Sequence, residues 1–153
     1  YNLKATDLQA AAGIEQLKKL PLFIERRRHN WKRLRQNLES LQDRFILPQE
    51  EENSRSSWFG FLITVKEESG IQRDEIIKYL EKHNIQTRLL FSGNLIRHPA
   101  FDKIRGTDAY RIADTLKNTD HIMKHSFWVG VYPGMTDEMT DYVAEVMKKA
   151  AAR

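Results

Sequence analysis

The run WFGFLITV at residues 58–65 leaves this chain few choices of fold. Aromatic and β-branched side chains suit a pleated, well-packed surface, and the run stops abruptly at the charged KEE, so it predicts a buried strand. A strand so apolar needs other strands beside it and helices over it. IQTRLLF at 85–91 and SFWVGVY at 126–132 predict two further strands. Between the first two of the three, QRDEIIKYLEKHN (72–84) predicts a short amphipathic helix, with Asn84 suited to a left-handed stop. DAYRIADTLKN (108–118) predicts a second helix. PGMTDEMTDYVAEVMKKA predicts a turn and a final helix, capped by Thr136, with Asp137 and Glu138 at its positive end. The order implies an α/β (α+β) fold: a short antiparallel or mixed sheet covered on one face by helices. A length of 153 residues suits a single sizeable core.

The residues before this pattern are helical. Thr6 and Gln9 have the spacing of a capping box. Leu8, Ala10, Ala11, Ala12, Ile14 and Leu17 then form an alanine-rich helix whose small side chains permit close approach of another surface. Pro21 fits the first turn of a second helix. Its apolar positions Ile24, Trp31, Leu34, Leu38 and Leu41 recur at helical spacing. The stretch ERRRHNWKRLR at 25–35 carries six Arg or Lys against one Glu, in a chain of net charge +4. A nucleic-acid-binding or scaffold module could use that run, with Trp31 as a stacking platform. Trp31 shares the apolar stripe, however, so it reads as core and the basic run as a solvated face.

Few residues suggest chemistry. The chain has no cysteine, which excludes disulfides and thiolate metal sites within it and fits a reducing compartment. No apolar run is long enough for a membrane span. His121 and His125 have i,i+4 spacing but no third ligand in a zincin-like pattern, so no metal site is expected. Glycine-rich phosphate loops and nucleophile elbows are missing. The stretch SGNLIRHPAF at 92–101 gathers Asn94, Arg97 and His98 between two breakers, with Arg88 just upstream. Such side chains suit an anionic or hydroxyl-rich ligand, and they equally suit a polar surface loop.

YNLKATDLQAAAGIEQL resembles the segment G-[YF]-N-x-[RK]-x-[TS]-x-x-Q-A-A-x-G-x-x-Q-L of the DegT/StrS family of sugar-nucleotide aminotransferases and dehydrases. NIQTRLLF, the HPAF turn and YPGMTDEMTDYV extend the likeness along essentially the whole chain. FSGNLIRHPAF is most similar to the iron–sulfur 3-dehydrase branch. The resemblance implies an aspartate-aminotransferase-like (fold type I) enzyme using pyridoxal or pyridoxamine phosphate (PLP/PMP). Residues 1–42 would be a helical segment joining a large domain, and 43–153 the C-terminal small α/β domain. The cofactor-holding Lys, replaced by His in the dehydrases, and the cysteines of a [2Fe–2S] centre would lie upstream. No catalytic residue is then expected here, and the chain alone should be inactive. Asn2 matches an asparagine that reaches a cofactor phosphate across a dimer, and Lys4 stands where most aminotransferases carry arginine. Asn94 and His98 both fit the substrate-contacting position of the 92–99 loop, and Arg88 fits a pyrophosphate or sugar contact. The implied partners are a nucleotide sugar bearing a 4-keto-6-deoxyhexose, a second subunit, and an electron-donating reductase if the enzyme is a dehydrase. The implied setting is cytoplasmic synthesis of dideoxysugars for lipopolysaccharide O-antigen. A sugar aminotransferase is the alternative.

Overall fold

The computed structural model describes residues 3–153. Eight elements carry the architecture: α1 (Asp7–Asn37), β1 (Phe45–Ile46), β2 (Gly60–Val65), α2 (Arg73–Lys82), β3 (Thr87–Leu89), α3 (Lys117–His125), β4 (Ser126–Gly130) and α4 (Asp137–Ala151). The strands form one antiparallel sheet in the order β1-β2-β4-β3. Alternation along β2 buries Phe61, Ile63 and Val65 on one face, where they meet Phe127 and Val129 of β4. The second half of α1 brings Trp31, Leu34 and Leu38 to this core, α2 brings Ile76 and Leu80, and α4 brings Val143, Val146 and Met147. The strand expected at 58–65 is present and central over Gly60–Val65, leaving Trp58 and an exposed Phe59 outside it, and the α/β fold with a small antiparallel sheet is the one observed.

Four features differ from the sequence reading. Pro21 does not start a new helix; it lies inside the 31-residue α1. Proline costs the Leu17 carbonyl its helical partner, but both flanks are helix-forming and Leu17 is exposed, so water can serve that oxygen. Residues 108–116 are not helical, and the helix falls at 117–125 instead. The Asp114 carboxylate accepts from the Thr115 N–H, and Leu116 sits at φ 56°, so local side-chain bonding and a left-handed residue hold the chain out of a helix until Lys117. The strands at 85–91 and 126–132 are shorter than expected, because pairing covers only Thr87–Leu89 and Ser126–Gly130. Strand β1 was not foreseen; two residues carry no readable period.

The basic run is also less solvated than expected. Arg28 forks onto Glu50 and also donates to the Ser56 carbonyl. Arg33 binds Asp141 through two 2.7 Å bonds, His29 donates to Asp137 at 2.8 Å, and Arg26 donates to the Met135 carbonyl. The Arg26, His29 and Arg33 bonds tie α1 to the start of α4, where acidic side chains also meet the helix dipole, and the Arg28 bonds tie it to the loop before β2. Trp31 is core, stacked on Trp58 with centroids 4.5 Å apart.

The first half of α1 has a different character. Thr6 and Gln9 form the capping box in both directions. Beyond the cap, Leu8, Ile14, Leu17, Leu20 and Leu22 all stay exposed. Apolar surface of this extent drives association. The 153-residue chain produced by itself is expected to self-associate through this half-helix. A monomer in sedimentation, with no binding of an apolar-surface dye, would refute this.

Candidate ligand-binding site

Strand β3 ends at Leu89, and the chain then turns through 92–98 before it reaches α3. What fixes that loop is a carboxylate in the first turn of α3. Asp120 accepts from Arg97 through Nε and Nη2, at 2.6 and 2.5 Å, and from Asn94 Nδ2 at 2.8 Å. The Arg97 guanidinium, reinforced by the Asn94 amide, lowers the Asp120 pKa from 3.8 to about 2. Met123, one turn later, receives the Asn94 backbone N–H at its sulfur and lies against Gly93. Gly93 has φ 70°, and a β-carbon there would come within 3.0 Å of the Met123 side chain. Glycine is needed for both reasons.

Each of the sequence-predicted residues can now be located. Asn94 is buried and its amide is committed to Asp120. His98 is half-buried and its Nε2 lies 2.6 Å from the Ser92 carbonyl, which fits a donated hydrogen bond closing the loop on itself. Arg88 is exposed; it donates to the Thr87 carbonyl, and the Gln86 amide oxygen, turned toward it, accepts from both terminal nitrogens. Lys4 precedes the α1 cap and is exposed, and Asn2 lies outside the described residues. The structure brings Asn94, Arg97 and His98 into one loop and sets Arg88 apart from them.

Arg88 instead lines a groove of about 660 Å³ between the 83–88 segment, the end of β4 and the first turns of α4. Trp128, Tyr132, Tyr142, Met139 and Glu138 complete its walls. Arg88 pairs with Trp128 across the β3–β4 register, so a guanidinium and an indole share one face of the sheet. Gly60 keeps that indole in place: a β-carbon at 60 would lie 2.6 Å from Trp128 Cε3. Gly60→Val is expected to cost about 1–3 kcal/mol by overpacking, checked by denaturant melts, with no loss expected if Trp128 is free to move. An aromatic wall with a fork-shaped cation suits a ligand with a planar ring and an anionic group. Asp120, Met123 and Trp128 were missed by sequence reasoning. Asp120 and Met123 fall on a helix that the sequence pattern misplaced, and Trp128 was read only as part of a strand.

Acid should release the loop. The Asp120 carboxyl has a folded pKa below its ordinary value, so its contribution is complete above about pH 4 and lost as pH falls toward 2. Proteolysis with an acid-active protease is expected to reach residues 92–98 in that window, before the core opens. Simultaneous loss of loop and core would show that the anchor is not what holds the loop.

The residues 1–148 match the model of the DegT/DnrJ/EryC1/StrS aminotransferase family. Over all 153 residues the chain is 50% identical to a dTDP-4-dehydro-2,6-dideoxy-D-glucose 3-dehydratase of Saccharopolyspora spinosa, covering 32% of that protein. It is also 50% identical, over 143 residues (94% of the chain), to the lipopolysaccharide biosynthesis protein RfbH of Salmonella typhimurium, again covering 32%. Among solved structures, the Escherichia coli GDP-4-keto-6-deoxy-D-mannose-3-dehydratase with bound hydrated PLP superposes with a TM-score of 0.81 at 31% identity, over 96% of this chain and 36% of that one. The chain thus spans about a third of the length of the relatives it matches. Matched from residue 1 to 148, it belongs to the DegT/DnrJ/EryC1/StrS aminotransferase family.

Proposed function

We propose that this chain is the C-terminal part of a PLP/PMP-dependent sugar-nucleotide 3-dehydrase acting on a 4-keto-6-deoxyhexose in dideoxysugar synthesis for lipopolysaccharide O-antigen. The observation that carries this reading is 50% identity along the whole chain to a sugar-nucleotide 3-dehydratase, matched by RfbH at the same level. Residues 1–42 serve as the helical segment that meets the rest of the enzyme, and 43–153 as the small domain. The exposed apolar side chains of α1's first half support such a junction.

The donors present fit a phosphorylated cofactor at one end of the chain. Lys4 is an exposed cation at the head of α1, and Asn2 offers an amide donor two residues earlier; both are assigned to the cofactor phosphate. When bound, PLP or PMP supplies the electron sink that stabilises negative charge beside the keto carbon, allowing the neighbouring hydroxyl to leave. This chain's own residues bind and orient. Arg88 is assigned to the pyrophosphate or sugar, in a groove whose aromatic walls exclude water from one side of the ligand. Asn94 and His98 are assigned to the substrate loop, Asn94 by fixing it on Asp120 and His98 by presenting its ring at the loop's end. A [2Fe–2S] centre, a reductase that feeds it and a homodimer are part of the proposal. The chain's lack of cysteine puts the cluster's thiolates elsewhere in the enzyme. A cytoplasmic location follows from those partners, and among the described residues no helix is long and apolar enough to cross a membrane.

The family model's aminotransferase description supports a second reading, in which the amino group is kept on the sugar. One experiment decides between them. The full-length gene product is purified anaerobically, its absorbance recorded for pyridoxal-type and iron–sulfur bands, and turnover followed by mass spectrometry. Loss of the 3-hydroxyl with electrons from a reductase is expected. Gain of nitrogen from glutamate, with no iron–sulfur band, would replace the dehydrase with the aminotransferase.

A further inference from the structure

We propose that Glu67, His121 and His125 form a binding site for a divalent first-row transition ion, with zinc the ion best suited to it. The two histidines stand one turn apart at the end of α3, their rings stacked 4.6 Å between centroids at 28°. The i,i+4 spacing alone offers two ligands; the fold supplies the third from 54 residues earlier. Glu67 opens the short turn that leaves β2, and β2 pairs with β4, which begins where α3 ends. The Thr64–Ser126 pairing, with a 2.8 Å hydroxyl–hydroxyl bond, therefore places that turn beside His125.

The donor atoms converge. Glu67 Oε1 lies 3.1 Å from His121 Nδ1 and 3.4 Å from His125 Nε2, and all three atoms lie within 4.8 Å of one another. Around a tetrahedral zinc with bonds near 2.0–2.1 Å, ligand atoms stand about 3.3 Å apart. Two of the three separations already have that value. The histidine pair closes by at most about 1.5 Å, within reach of a small rotation about the side-chain bonds of half-exposed rings. The ligand backbones are held in place. Arg73 Nη1 donates to the Met123 carbonyl at 2.5 Å, and the Gly70 N–H donates to the Glu67 carbonyl, closing the turn.

The chemistry favours a cation over a simple pair of hydrogen bonds. Two imidazoles and one carboxylate are borderline ligands suited to zinc, nickel, cobalt or copper rather than to calcium or magnesium. His125 is the last residue of α3, at the negative end of the helix dipole. Three protein ligands leave one position open to water, the coordination of a site that can exchange or accept a further group. The position has a consequence for the loop at 92–98. Asp120 and Met123, which anchor that loop, share α3 with the two histidines, so an ion joining α3 to the exit of β2 would stiffen the loop's support.

Zinc titration by calorimetry tests this on the full-length protein and on the double variant His121→Gln/His125→Gln. The wild type is expected to take up one more zinc per chain than the double variant. Glu67→Gln, His121→Gln and His125→Gln are each expected to weaken that extra site by roughly tenfold or more. Zinc should raise the melting temperature of the wild type and leave that of the double variant unmoved by this site. The ligand side chains are all partly exposed, and circular dichroism verifies that the variants are folded. Equal zinc stoichiometry in wild type and folded double variant would overturn the proposal. So would single variants that bind as tightly as the wild type, since the carboxylate and rings would then be only hydrogen-bonded.

Discussion

Phe127→Ala is expected to lower the free energy of unfolding by about 3–5 kcal/mol. Phe127 is fully buried on the inner face of β4, paired with Ile63 on one side and Leu89 on the other. It thus stands where the sheet meets the helices, and no neighbouring strand can close over the space left by a lost ring without breaking register. The measurement is a denaturant melt of the purified variant beside Leu22→Ala, whose leucine is exposed on α1 and whose change should stay within about 0.5 kcal/mol. If the two variants lose equal stability, Phe127 is not at the centre of the cooperative unit.

Asp120→Ala is expected to have the larger effect on function. One carboxylate receives the Asn94 amide and two nitrogens of the Arg97 guanidinium. Removing it leaves the buried Asn94 amide without this partner and frees the Arg97 guanidinium beside the loop. The loop then loses its fixed position, and on the proposed role of this loop in positioning substrate a displacement near 1 Å can cost about 10²-fold in kcat/KM. That loss is expected in the full-length enzyme, with the cofactor absorbance unchanged. Asp120→Glu should recover part of it, because the longer side chain keeps the charge but not the geometry. An alanine variant with wild-type kcat/KM would show that the 92–98 loop does not contact substrate.

Much of this was readable from residue order. The WFGFLITV run became the central buried strand, the Thr6–Gln9 and Thr136 caps formed, and the Trp31 stripe became core because its spacing matched a helix face. Local rules failed where neighbours in space decide. Pro21 reads as a helix start, yet tertiary packing of the residues after it carries one helix through. DAYRIADTLKN has helical composition, but an aspartate-to-backbone bond and a left-handed leucine displace the helix by nearly its own length. The site suffered from the same cause. Asn94 and Arg97 stood out as polar side chains in a loop, whereas their partner Asp120 was hidden in a stretch with no visible period. Glu67 belongs to a different strand's exit, and only the β2–β4 register reveals that it faces two histidines.

Helix α1 is gripped from Arg26 onward, where Arg26, Arg28 and His29 bond to the rest of the fold and Asn30, Trp31 and Leu34 are buried. The 19 residues from Asp7 to Glu25 extend roughly 28 Å beyond that grip at 1.5 Å per residue. Such a rod is a lever. A tilt of about 5° at its bonded root would carry the capped tip, and Lys4 just ahead of it, through about 2.5 Å. Movement of the sheet and the helices packed on it is therefore passed to the region around Lys4 mechanically, through the stiffness of one helix.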